Sequence, residues 1–178
     1  DLGEDSCLFC NECGYAANSD TATFHKEPAD NTSPEIDMET ISTPGIYSIE
    51  KLSNYLKIQE NKTLKAVFYS ADGKPVLVAV RGDMEVNEIK LQRALGANDI
   101  HYMEDSEALE AGFISGSASP VGLDGVTIVA DDLVTEEKNL VAGANINDSH
   151  ILNTNYGRDW KATTVSDITL AKQGSLCP

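Results

Sequence analysis

The chain has 178 residues, 41% of them apolar and 24% charged, a mix that suits one ordinary globular domain and excludes a wholly disordered polymer. Its formal charge of −16 excludes a general DNA or RNA binder, because phosphate contacts dominate such affinity and an acidic surface repels them. No run reaches the roughly 18 uncharged apolar residues of a membrane span, and the opening DLGEDSCLFC lacks the basic segment of a signal peptide; the expectation is a soluble cytoplasmic protein.

In chain order, the first feature is Cys7, Cys10 and Cys13, matched at the far end by Cys177. Overlapping Cys-x-x-Cys pairs point to thiolate metal ligation or redox chemistry. Two readings stand: a zinc knot joining the two ends through these four residues, or plain free thiols. Residues 14–45 are rich in Asp, Asn, Ser, Thr and Pro and read as an extended connector, with Pro44-Gly45 marking where organised structure starts. Ser48 is suited to cap a helix carrying Ile49, Leu52 and Leu56. Leu64 to Tyr69 and Val76 to Val80 are strand-like runs, and Asp72-Gly73 between them is a hairpin signal.

Val86 to Leu95 has helical spacing, with Gly96 as its stop, and a second short helix is expected over Ser106 to Ala111. A Gly/Ser loop spans Gly112 to Gly125, followed by a strand from Val126 to Ala130. Asp131 to Ala142 is expected to be helical, and His150 to Asn155 a short strand. Strands interleaved with short helices predict a mixed α/β fold. Charge is uneven along this course. Between Lys51 and Arg93, eight basic residues face five acids, a net +3, and the remainder carries −19. A local contact with one end of a nucleic acid is compatible with that pattern, provided that another module holds the rest.

The sequence lacks a G-x-S-x-G elbow, an H-E-x-x-H pair, a P-loop and a dinucleotide fingerprint. Three features remain as candidates. Lys90, between Ile89 and Leu91, either snorkels from a helix edge or reaches a pocket beside Arg81-Gly82-Asp83 to bind an anionic or carbonyl group. The loop Gly116-Ser117-Ala118-Ser119-Pro120-Val121-Gly122 is either a surface turn or a set of backbone N–H groups for a carbonyl oxygen that gains charge. His150, after an Asn-rich turn, is either packed or a partner for an amine or water, whereas His25 and His101 read as structural.

Cys-Gly-Tyr-Ala-Ala-Asn (13–18), Thr-Pro-Gly (43–45), Val-Arg-Gly-Asp-Met-Glu-Val-Asn-Glu-Ile-Lys-Leu (80–91), Ser-Pro-Val-Gly-Leu (119–123), Gly-Ala-Asn (143–145) with His150, and Asn-Tyr-Gly-Arg-Asp (155–159) occur in this order. Together, across nearly the whole chain, they resemble the insertion domain of bacterial-type prolyl-tRNA synthetases, in the YbaK-like aminoacyl-tRNA deacylase family. The resemblance implies a mixed, partly rolled β-sheet flanked by helices, with an editing site that hydrolyses alanine wrongly esterified to proline tRNA. It assigns catalysis to Lys90, as the family's essential lysine, and to Gly116 and Pro120 of the G-x-x-x-P loop. It assigns substrate binding to His150, Ser119, Asn145 and Asp167. Met84 stands where a histidine is common, and Ser119 where many synthetase members have glycine.

The division this implies is a junction over residues 1–42, an editing domain over 43–170 and a second junction over 171–178. Editing would need no cofactor, with ATP and magnesium confined to the host enzyme and zinc an option only at the cysteines. Partners would be the tRNA acceptor end and the catalytic and anticodon-binding domains of a homodimeric host, with no membrane or DNA. A second sieve is physically reasonable, since small apolar differences give only about 10–200-fold discrimination. The competing readings are a deacylase for another small amino acid such as cysteine, a non-catalytic module that binds the tRNA end, and a zinc-stapled structural insert.

Overall fold

The computed structural model describes residues 6–178, so the first five residues of the opening segment lie outside it. No helix among the described residues is long and apolar enough to cross a membrane. The fold is built on a hairpin. Strand β4 (Leu64–Ala71) and strand β5 (Lys74–Arg81) pair antiparallel through their full length, and Asp72 (φ 48°) and Gly73 (φ 76°) close them in the twisted two-residue turn that the Asp-Gly dipeptide favours. Earlier strands in the chain are β1 (Cys7–Phe9), β2 (Ala16–Asn18) and β3 (Glu39–Ser42); later ones are β6 (Ile100–Tyr102), β7 (Thr127–Asp131), β8 (Leu140–Gly143), β9 (Ser149–Thr154) and β10 (Thr164–Ser166).

Strands β10-β7-β5-β4-β6 form a mixed five-stranded sheet, with β5 parallel to β7 and β7 parallel to β10. Strand β5 is buried on both faces, which explains why Val76 to Val80 is apolar without alternation. Val76, Val78 and Val80 face helix α2 (Glu88–Leu95), packing with Leu91, Val129 and Ile168. Leu77 and Ala79 face the opposite core, with Phe68, Phe113, Ile128, Leu140, Ala142 and Trp160. A second sheet, β3-β9-β8, covers that opposite face and is stitched to the hairpin by the parallel bridge between Thr63 and Val141.

Helix α1 (Ile49–Leu56) starts where expected, with Ser48 Oγ accepting from Lys51 N, and α2 ends on Gly96. Asn87, not Val86, caps α2; Val86 instead bridges to Thr169. Helix α3 covers Asp105–Glu110 and is followed by the long Gly/Ser loop. Two expectations change. The stretch 131–142 is not one helix: α4 (Asp132–Glu136) is a single short turn of helix, and residues from Leu140 onward are the buried strand β8. The segment 14–45 is not merely extended, since β2 pairs with β1 and β3 pairs with β9. Polar strands at a sheet edge carry no apolar alternation, so hydrophobic period gives no sign of them.

Arg81 holds this arrangement from inside. It is 1% exposed, with Nε and Nη2 donating to the Asp83 carboxylate at 2.7 and 2.8 Å and Nη1 donating to buried Glu137 at 3.0 Å. Nη1 also meets the Glu27 carbonyl, which ties the amino-terminal segment to the main sheet. Gly143, at the end of β8, is the tightest crossing: a Cβ there would lie 2.3 Å from the Ser117 carbonyl group and 2.4 Å from the Ala118 oxygen. Both neighbours are backbone and cannot turn aside. Gly143→Ala is therefore expected to lower stability by about 1–3 kcal/mol, measured as a reduced urea midpoint with unchanged slope.

Candidate functional site

A cleft of about 820 Å³ opens between α1, β4 and the loops around residues 43–48, 113–118 and 143–150. Its walls include Tyr47, Phe68, Ser115, Gly116, Ala118 and His150. The loops are fastened to one another. Asp148 Oδ1 accepts from Gly45 N at 2.9 Å and from the Tyr47 hydroxyl at 2.6 Å, and its backbone oxygen accepts from Thr43 N. Gly116 lies against Tyr47 so closely that a Cβ would come within 2.7 Å of the tyrosine Cβ.

Asn145 shapes the loop of residues 116–121. Its Oδ1 accepts from Ser119 N at 2.9 Å, and its Nδ2 donates to the carbonyls of Ser119 and Val121 at 3.1 and 2.8 Å. Its own N–H donates to the Ser117 oxygen. Asn145 is thus a clamp on the loop, and Ser119 is buried with both its N–H and its hydroxyl engaged, the latter accepting from Val121 N. Pro120 is buried behind the same turn. Among the described residues, the loop N–H groups of Ser115, Gly116 and Ala118 have no hydrogen-bond partner, and all three residues line the cleft.

His150 reaches the cleft from β9, where it pairs with Ile41 on one side and Gly143 on the other. Its Nδ1 is 2.6 Å from the hydroxyl of Thr43, which is fully buried. Burial lowers the pKa of the imidazole below its ordinary value, so the ring is neutral near pH 7. With Nδ1 engaged, Nε2 is the nitrogen left to meet a ligand. Thr43 is the member of this pair that sequence reasoning missed; it falls at the end of the connector of residues 14–45, and its one signal is its place beside Pro44 in the Thr-Pro-Gly motif.

Lys90 and Asp167 do not line this cleft. They meet on the α2 side of the main sheet, where Lys90 Nζ donates to Asp167 Oδ2 at 2.8 Å and to the Thr169 carbonyl at 3.0 Å. Lys26, from the amino-terminal segment, joins them and contacts Asp131, Asp132 and Asp167. Burial works to raise the Asp167 pKa, but the hydrogen bonds from Lys90 and Lys26 outweigh it and hold the carboxyl below its usual value. Asp131, fully enclosed, is pushed up to about 6 by burial. Lys65 also lines the cleft; it alternates along β4 with Leu64 and Ala66, which pack into the opposite core, and its ammonium donates to the Met84 carbonyl.

The cleft therefore offers unpaired backbone N–H groups, those of Gly116 and Ala118 among them, a neutral imidazole and one lysine, Lys65, in its wall. Its hydroxyls are not poised as nucleophiles: Thr43 is enclosed, and Ser115 donates to Asp105 at 2.8 Å without a histidine beside it. Such a site can hold a carbonyl oxygen, orient water and contact an amine, which suits hydrolysis of an already activated ester. Elsewhere, the Sγ atoms of Cys10, Cys13 and Cys177 lie within 4.8 Å of one another, with Cys7 outside that group.

Comparison with known proteins agrees with this geometry. Residues 43–159 match the family described as the aminoacyl-tRNA editing domain. Proline–tRNA ligases are similar over 99% of the chain: 47% identical in Dehalococcoides mccartyi, 42% in Salinispora tropica and 36% in Lactococcus lactis. The chain spans only about a third of the length of these curated relatives, 31% in the first. Among solved structures, one proposed to be a trans-editing enzyme for prolyl tRNA synthetase superposes with a TM-score of 0.62 at 14% identity, over 75% of this chain and 87% of that one, and so shares the fold.

The shift at His150 carries a pH signature. Its pKa is lower in the folded chain than unfolded, so below about pH 6.5 the unfolded state takes up the proton first and stability falls as pH drops toward the folded value. NMR titration is expected to place the His150 ring below 6.5, and His150→Gln is expected to flatten the acid limb of the stability profile between that value and pH 6.5.

Proposed function

As a member of the aminoacyl-tRNA editing domain family, this chain, we propose, hydrolyses the ester of alanine wrongly attached to proline tRNA, acting as the editing unit of a prolyl-tRNA ligase. The observation that carries the reading is the pair of unengaged N–H groups at Gly116 and Ala118 beside a neutral His150 in one cleft. The similarity to proline–tRNA ligases supports the choice of tRNA, and the physical need for a second sieve supports the choice of alanine.

In this reading the terminal aminoacyl-nucleoside enters the cleft, and the ester carbonyl oxygen accepts hydrogen bonds from Gly116 and Ala118. A water oxygen attacks the carbonyl carbon, and the negative charge that forms on the carbonyl oxygen is held by the same two N–H groups. The bond from that carbon to the ribose oxygen then breaks. The ribose oxygen takes a proton, releasing free alanine and intact tRNA. In the tautomer with the proton on Nδ1, His150 donates to Thr43 and Nε2 accepts from the attacking water or the substrate amine. The neighbouring ribose hydroxyl is placed to help orient that water. No cofactor enters the step; ATP and magnesium belong to the synthetic site of the host, and zinc has no part in the cleft. The domain works in the cytoplasm, with residues 1–42 and 171–178 as its junctions to the host, which is a dimer holding the rest of the tRNA.

Asn145 and Pro120 serve by fixing the loop, and Ser119 by accepting the clamp. Lys90 and Asp167 act as positioning residues, joining α2 to the segment after β10. The test is hydrolysis of alanyl-tRNA(Pro) at high chain concentration. His150→Ala is expected to slow it about 10–100-fold, Asn145→Ala to slow it comparably, and Lys90→Ala with the fold intact by less than about threefold. Loss of hydrolysis in a folded Lys90→Ala chain would return that lysine to the reacting centre. Hydrolysis of cysteinyl- but not alanyl-tRNA(Pro) would reassign the substrate, and none with either ester, even within the whole ligase, would refute the editing reading.

A further inference from the structure

The two ends of the described chain meet at a place remote from the cleft. Strands β1 and β2 form a ribbon whose turn carries Cys10 and Cys13, closed by Cys10 N donating to Tyr15 O at 2.8 Å and Gly14 N donating to Cys10 O at 3.0 Å. From the other end, the segment after Lys172 turns back through Ser175 and forms a bridge between His25 and Leu176, with His25 N donating to Leu176 O at 2.9 Å. That bridge delivers Cys177 onto the ribbon turn. The result is three sulfurs within 4.8 Å of one another, drawn from segments more than 160 positions apart in sequence.

From this we infer that Cys10, Cys13 and Cys177 form a three-thiolate zinc site that staples the ribbon to the carboxy-terminal segment. Zinc–sulfur bonds of about 2.3 Å in tetrahedral geometry set sulfurs about 3.8 Å apart, a spacing these side chains reach by small rotations. The core supplies little else to hold this corner: Phe9 and Leu176 are exposed, and the ribbon is only two strands of three residues. Cys7 is excluded from the ligand set, and the fourth position is open to water or to a donor outside the described residues. Nothing in this site bears on the ester chemistry, so it stands or falls independently of the editing reading.

The experiment uses the full chain, purified with reductant after expression with zinc. Plasma mass spectrometry is expected to find about one zinc per chain, falling below about 0.1 in Cys10→Ser and in Cys177→Ser while Cys7→Ser keeps it. Replacing zinc by cobalt in the unaltered chain gives a readout that does not depend on any variant folding; intense near-ultraviolet thiolate-to-cobalt absorption is expected. Reduced thiols with no bound metal, or a disulfide among these three cysteines that persists in reductant, overturns the site. Loss of zinc in Cys7→Ser with retention in Cys177→Ser overturns the ligand set.

Discussion

The side-chain amide of Asn145 decides what the cleft can offer. With three hydrogen bonds to the backbone around Ser119, it engages the loop groups nearest to it and leaves the N–H groups of Gly116 and Ala118. That clamp works only because Asn145 adopts a left-handed backbone conformation (φ 54°) two residues after Gly143, whose missing side chain lets the loop run directly over β8. Asparagine tolerates this backbone better than most residues and carries both the donor and the acceptor the loop requires. The Gly-Ala-Asn triplet is thus a mechanical unit: one residue lets two backbones touch, and another locks them in place.

The sequence conveyed the hairpin, the two capped helices and the family because each leaves a local mark: Asp-Gly at a turn, Ser48 and Gly96 at helix ends, motifs in a fixed order. It conveyed less where a role depends on what lies across the fold. Strand β8 follows a short helix with no turn dipeptide to separate them, so its apolar residues extend the helical pattern. Strand β3 is exposed along most of one edge and reads as polar connector. The candidate residues divide in the same way. His150 and Gly116 meet in the cleft, whereas Lys90, prominent in a motif, is drawn to Asp167 on the other side of the sheet. No spacing rule reports which face of a sheet a helical lysine serves.

The charge pattern gains a meaning from the ion pairs. Lys26, Lys62, Arg81, Lys90, Lys138, Arg158 and Lys172 all pair with carboxylates of this chain. Of the eight basic residues between Lys51 and Arg93, three (Lys62, Arg81 and Lys90) are paired in this way, so the central surplus of positive charge is only partly neutralised within the fold, and Arg81 is 1% exposed. With a net charge of −16, the surface as a whole does not attract a phosphate backbone, so selectivity in the cleft has to come from short-range hydrogen bonds and shape.

The bridge between His25 and Leu176 makes neighbours of two segments that lie far apart in sequence. A single backbone hydrogen bond joins them there, so a displacement of either segment is passed to the other at that one point.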